Sequence, residues 1–186
     1  MSAHPQAALS HLGIFVEDVE SMTTFYTEVF GLRLTDKGVG RNFKFTLHFL
    51  SGSPDQHHQL VLASGRQPGT PSSIMQLSFK VKSLDELRKV RSLALATGAS
   101  DLRAMNHGNA LSIYFSDPEK NTVEVYLDTP WYVPQPHGDP LDLDSQDAEI
   151  WAETERICRA DPGFMPADEW AKKFRAGMLL ATGAVE

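Results

Sequence analysis

The stretch Leu9-Ser-His-Leu-Gly-Ile-Phe-Val16 decides the fold, because it returns, altered but in phase, as Gln76-Leu-Ser-Phe-Lys-Val81. Each run is short, apolar and β-prone, and each leads into a helix. After the first, Glu17-Asp18 can cap a helix over Val19 to Phe30, in which Val19, Met22, Phe25, Tyr26 and Phe30 recur at helical spacing and Gly31 is a natural stop. After the second, Ser83-Leu-Asp-Glu-Leu opens a helix that runs to about Thr97 and ends at Gly98.

Three strand-like stretches follow each helix. They are Leu32–Thr35, Phe43–Leu50 and Gln59–Ala63 in the first half, and Asp101–Met105, Leu111–Phe115 and Thr122–Leu127 in the second, with turn-rich residues between them. Both halves therefore read βαβββ. A shift of 65 residues lays Val16 on Val81, Val19 on Leu84, Met22 on Leu87, Leu60 on Val125, His11 on Gln76 and Gln59 on Glu124. A repeat of this kind predicts an α+β fold in which two βαβββ modules, 9–64 and 74–128, pair by pseudo-twofold symmetry into a curved mixed sheet around a cleft. Residues 1–128 then form one domain. Residues 129–186 differ, with Pro130, Pro134, Pro136 and Pro140 in an aromatic arm followed by helices near Ser145–Arg159 and Pro166–Leu180. This extension can cover a site, cross a dimer interface or cap the sheet.

The composition narrows the function. The net charge of −7, with no Lys/Arg cluster, has the wrong sign for phosphate neutralisation and argues against nucleic acid or an anionic membrane as partner. The single cysteine, Cys158, allows neither an intrachain disulfide nor a Cys-based zinc site and suits a reducing compartment. The start, Met1 to Ala8, lacks a basic stretch followed by an apolar one, and no apolar run is long enough to span a bilayer, so the expectation is a cytoplasmic protein acting on a small molecule.

His11 lies in mid-strand and Glu124 lies among apolar strand residues, so both are costly to bury without a partner. Gln76 occupies the repeat position of His11. A histidine, an amide oxygen and a carboxylate converging from different strands can hold a divalent cation and leave other positions open.

The runs His11-Leu-Gly-Ile-Phe-Val, His57-His58-Gln-Leu-Val-Leu, His107-Gly-Asn-Ala-Leu-Ser-Ile-Tyr114 and Ser116-Asp-Pro-Glu-Lys-Asn-Thr-Val-Glu124 together resemble the extradiol dioxygenases of the vicinal-oxygen-chelate superfamily, over residues 9 to about 128. The resemblance implies His11 and Glu124 as metal ligands, with Gln76 where the family has a second histidine. It implies Fe(II), with Mn(II), Zn(II) or Ni(II) as alternatives, and a small aromatic diol and O2 as substrates. It also implies His58 as the acid–base histidine, Tyr114 and His107 as donors to substrate oxygens, and a homodimer. Phe43, Phe45, Phe49 and Trp131 are candidate pocket walls.

Plainer readings stand beside these. His57-His58 can be a solvated turn, Tyr114 a strand tyrosine with a satisfied hydroxyl, and His107-Gly108-Asn109 a tight turn. Pleat alternation selects Gln59 for the metal side, where the resemblance selects its neighbour His58, which makes Gln59 a candidate fourth ligand. His48 and His137 carry no motif. The leading expectation is extradiol ring cleavage. The alternatives are a redox-silent metal isomerase or lyase, to which Gln76 and Gln59 lend support, and a metal-free binding module.

Overall fold

The computed structural model describes residues 7–177. In chain order these form β1 (Leu12–Val16), α1 (Val19–Phe30), β2 (Arg33–Val39), β3 (Thr46–Ser51), β4 (Leu60–Ser64), β5 (Leu77–Lys80), α2 (Leu84–Ala96), β6 (Ser100–Asn106), β7 (Ala110–Ser116), β8 (Thr122–Asp128), β9 (Trp131–Tyr132), β10 (Asp139–Pro140), α3 (Asp147–Ala160), β11 (Met165–Pro166) and α4 (Ala167–Arg175). The fold is mixed α+β, and the βαβββ order appears twice before the C-terminal extension. No helix among the described residues is long and apolar enough to cross a membrane.

The chain divides into two compact units. The first comprises residues up to Met75 together with Leu93–Ser100 and Ser116–Asn121, and the second comprises Gln76–Ser92, Asp101–Phe115 and everything from Thr122 on. In the first unit the sheet order is β1-β4-β3-β2. β1 runs parallel to β4, from Leu12 opposite Leu60 to Val16 opposite Ser64, while β3 is antiparallel to both β4 and β2. Alternation sends Ile14, Val16, Leu50, Leu60 and Leu62 inward, where they are buried with Met22, Phe25, Tyr26 and Val29 of α1. The helix starts where the sequence says it should, because the Asp18 carboxylate accepts from the Glu20 and Ser21 amides. It stops at Gly31, whose φ of 66° is easy only for glycine.

The Asp-Pro-Glu-Lys-Asn turn closes this unit. Asp117, with no exposed surface, accepts from the Tyr26 hydroxyl, the Asn121 side-chain amide and the Glu119 and Asn121 backbone amides. Burial, opposed by these hydrogen bonds, raises the Asp117 pKa. Burial first, then the Asp117 charge, raises that of Tyr26 and keeps its hydroxyl a donor. Glu119 in turn accepts from the free amides of Glu17 and Asp18 ahead of α1. His48 has no exposed surface; its Nδ1 meets the Thr23 hydroxyl at 2.8 Å, which ties β3 to α1.

In the second unit the sheet order is β10-β6-β7-β8-β5, with β5 parallel to β8 and β10 antiparallel to β6. The extension belongs to this unit. β10 extends the sheet, β9 and β11 pair with each other, and α3 buries Ile150, Thr154 and Cys158. Arg88 of α2 donates to the carbonyls of Leu143 and Ser145 and pairs with Asp147 at 2.7 Å.

Several boundaries differ from the sequence expectation. β2 reaches Val39, four residues beyond Thr35, because it is an exposed strand held by β3 through a bulge between Leu34 and Asp36 rather than by a hydrophobic stripe. β3 starts at Thr46 instead of Phe43. The final helix ends at Arg175 rather than at the expected Leu180, because Ala176 caps it and Gly177 turns the chain with a φ of 67°, while most of the reading of Met1 to Ala8 lies outside the described residues.

Burial first, then the negative field of Asp161, Asp139 and Glu155, pushes the Cys158 thiol from 9.0 to about 11. The native protein is therefore expected to resist a disulfide-exchange reagent at neutral pH and to release one thiol on unfolding. Between those two values the unfolded chain loses a proton that the folded one keeps, so stability falls as pH rises through this window. Cys158→Ala should flatten that alkaline fall in urea titrations. An unchanged slope would assign it to other groups.

Candidate functional site

On one face of the second unit's sheet, period-two alternation brings together Gln76 and Ser78 of the β5 segment, Ser112 and Tyr114 of β7, and Glu124 of β8. Glu124 is only 8% exposed. Its Oε1 accepts from the Tyr114 hydroxyl at 2.5 Å and the Ser112 hydroxyl at 3.1 Å, and its Oε2 accepts from the Gln76 amide and the Ser78 hydroxyl, both at 2.7 Å. His107, at the turn joining β6 to β7, places Nε2 2.8 Å from the Tyr114 oxygen. Its Nδ1 lies 2.6 Å from the His137 carbonyl. Burial, and then the hydrogen bond and charge of Glu124, raises the Tyr114 pKa well above that of a free phenol. The Arg103 guanidinium sits over the Tyr114 ring at 4.9 Å. His107, Tyr114, Glu124, Tyr126 and Gln135 line a cavity of about 230 Å³.

The donors to Glu124 are all neutral, and among the described residues no Lys or Arg pairs with it. A buried carboxylate left in this state is the kind of group a divalent ion neutralises. Carboxylate, amide oxygen and hydroxyl form a hard donor set that fits such an ion. Among the described residues no group of three or more His, Cys, Asp or Glu side chains is set to hold a metal. A cation at Glu124 would therefore depend on the Gln76 amide, whose nitrogen faces Glu124 and whose oxygen is the atom a metal takes.

In the first unit His11 and His58 meet edge to face with ring centroids 4.3 Å apart, and Phe49 flanks His58 at 5.2 Å. His57 bridges His58 at 3.0 Å and Asp36 at 3.0 Å. Loss of solvent, then the neighbouring His11 and His57, lowers the His58 pKa, which keeps the ring neutral at neutral pH. The His57 and His58 rings form an edge-to-face and tilted cluster with His11 and Phe49, in which His57 stays exposed. The Gln59 amide oxygen accepts from the Gly52 amide and its nitrogen donates to Gln56, so this side chain ties the loop before β4.

Of the aromatic wall candidates, Phe45 lines a cavity of about 690 Å³ in the first unit together with Phe15 and Arg66, and the Phe15 and Phe45 rings meet edge to face at 5.0 Å. Phe43 is 68% exposed and stacks on Phe45, Phe49 lies against the histidines, and Trp131 packs on Trp151 of α3. Several residues of the second-unit site were not singled out by sequence, among them Ser78, Ser112, Arg103, Tyr126, Gln135 and His137. Ser78 and Ser112 could have been found by stepping two residues from Gln76 and Tyr114. Gln135 and the His137 carbonyl could not, because an irregular arm carries no period.

The twice-repeated βαβββ order, with a mixed sheet in each unit, defines the class of fold. The chain belongs to the Glyoxalase/Bleomycin resistance protein/Dioxygenase superfamily, whose family model matches residues 8–125. A comparison with curated protein sequences gives no match. Among solved structures, a glyoxylase/bleomycin resistance protein/dioxygenase domain from Frankia sp. aligns with a TM-score of 0.55 at 22% identity, covering 66% of this chain and 98% of that one. The fosfomycin resistance protein FosX from Mesorhizobium loti aligns at 0.52 and 23%, covering 66% and 92%. FosX from Listeria monocytogenes, solved with Mn(II) and sulfate, aligns at 0.52 and 18%, covering 66% and 93%. At these identities the likeness is one of fold.

Proposed function

We propose that the protein is a divalent-metal enzyme of the extradiol ring-cleavage type, acting on a small aromatic diol with O2. The observation that carries this reading is the continuous chain from buried Glu124 through Tyr114 to His107, with the Gln76 amide on the other carboxylate oxygen. Glu124 and Gln76 are the proposed ligands from the second unit, and His11 is added on the sequence resemblance alone. A bound Fe(II) or Mn(II) would supply the activation of diol and oxygen.

The chain's own groups handle protons and orientation. The Tyr114 hydroxyl, kept protonated by its raised pKa, donates to a substrate oxygen. Nε2 of His107, 2.8 Å from the Tyr114 oxygen, orients that hydroxyl toward Glu124 and the substrate. His58, whose pKa is lowered by loss of solvent and by His11 and His57, is assigned the acceptance of a proton from a substrate hydroxyl on the sequence resemblance alone.

A second reading, a redox-silent isomerase or lyase type of metal enzyme, is favoured by the amide donor Gln76 in place of a histidine. Mn(II) in the Listeria FosX structure supports the same alternative. Anaerobic loading with Fe(II), Mn(II), Zn(II) or Ni(II), followed by a catechol and air, separates the two. A yellow ring-fission product with iron or manganese is the expected result, and tight metal binding with no colour from a panel of catechols moves the assignment to the second reading. Gln76→His should raise Fe(II) affinity roughly tenfold. Unchanged affinity would remove Gln76 from the ligand set.

A further inference from the structure

β1 ends the sheet of the first unit, and two of its large apolar side chains stay out of the core, Phe15 at 52% exposed and Leu12 at 40%. Both line the cavity of about 690 Å³, whose size falls among small-molecule sites of about 300–1,000 Å³. Ile14, Phe45 and Ile74 complete its apolar wall, and Phe43 prolongs that wall by stacking on Phe45. Gly65 closes the turn beside it, where an added Cβ would lie 3.2 Å from the Phe45 ring.

Among the described residues that line this cavity, only Arg66 is charged. Its side chain is 8% exposed, so the guanidinium has been drawn out of water and needs partners. Nε and Nη2 donate to the Thr70 carbonyl at 2.9 and 2.6 Å, and Nη1 donates to Asn121 Oδ1 at 3.0 Å. A guanidinium carries five N–H bonds, so one on each terminal nitrogen has no hydrogen-bond acceptor among the described residues. Glu119 Oε2 stands 3.8 Å from Nη1, beyond hydrogen-bond length, and already accepts from the Glu17 amide at 2.8 Å. The nearest carboxylate is thus committed to the start of α1. Two open donors on a planar cation, beside phenyl walls, match a carboxylate carried on an apolar body.

We propose that this cavity binds a small aryl carboxylate, with its ring against Phe15 and Phe45 and its carboxylate on the terminal nitrogens of Arg66. The two phenyl rings meet edge to face, so together they offer a third ring both a face and an edge. A neutral arene would leave the guanidinium donors unpaired, and a small aliphatic acid would leave the phenyl walls wet. No residue of the Glu124 face lines the cavity, so the inference stands apart from the ring-cleavage reading.

The test is calorimetry of the full-length protein with naphthoate in EDTA, which removes any metal that could take the carboxylate. Binding with a Kd below about 1 mM is expected. Naphthamide, which brings no charge to Arg66, should bind about tenfold more weakly or worse. Ile74→Trp fills the cavity and leaves the guanidinium in place, while Arg66→Lys keeps the charge but not the fork; each should weaken naphthoate about tenfold. Arg66 also holds the turn at Thr70, so urea midpoints accompany both variants, and Ile74→Trp carries the test if Arg66→Lys unfolds. Backbone amide NMR locates the site, with naphthoate-induced shifts expected at Gly13, Phe15, Gly65 and Asn121. No binding at that concentration, equal binding of the amide, wild-type binding in a folded Ile74→Trp, or shifts confined to the second unit would each overturn the proposal.

Discussion

Glu124→Gln is expected to lower Mn(II) or Fe(II) affinity by more than about 100-fold while leaving stability near wild type. The amide keeps an acceptor for Tyr114 and Ser112 but removes the charge that a cation needs. Glu124→Ala should lose the metal equally and also cost about 1–3 kcal/mol, because the Ser112 and Tyr114 hydroxyls are buried and lose their acceptor. Gln76 and Ser78 are more open and can turn to water. The pair of variants separates ligation from packing, read by metal content after dialysis and by urea unfolding. Full metal occupancy in Glu124→Gln would refute the site, however the alanine variant behaves.

Asp117→Ala should destabilise the protein by about 3–5 kcal/mol. Four donors converge on this carboxylate, and the substitution removes the acceptor of all four. Tyr26→Phe removes one of them and should cost about 1 kcal/mol. Urea unfolding checks both. A midpoint for Asp117→Ala within error of wild type would mean that water or a rearranged turn takes over the four bonds. Because metal content is read separately, loss of stability with metal binding intact would assign the Asp-Pro-Glu-Lys-Asn turn to architecture alone.

The helices were legible because their signals are local. Asp18, the apolar spacing through Phe30 and Gly31 lie within one short window, and α1 has the bounds the sequence implies. β7 and β8 were found nearly as well, since both are short, largely buried apolar runs bounded by turns. β2 was read short because its seven residues are all exposed and only its partner defines it. β9, β10 and β11 are two-residue pairings formed where an arm meets something already folded, and no window of sequence contains that partner. The site divides the same way. Repeat position pointed to Gln76 and Glu124 and the family resemblance to Tyr114, and the three share one face. The choice between His58 and Gln59 was open because each had one argument. Local contacts now distinguish their surroundings, with His58 against His11 and Phe49 and Gln59 engaged with Gly52.

The clasp of Glu119 on the amides of Glu17 and Asp18 spans 102 and 101 residues of chain. Its neighbour Asp117 holds Tyr26 from 91 residues away. During synthesis the first helix and its four strands therefore emerge long before the turn that completes their unit. At about 5–20 residues per second, the ribosome needs several seconds to pass from Met75 to Asn121. For that interval the nascent first unit carries an unfinished helix entrance and a tyrosine hydroxyl awaiting its Asp117 acceptor, which fixes the order of maturation. The N-terminal half of the chain is made first but finished late.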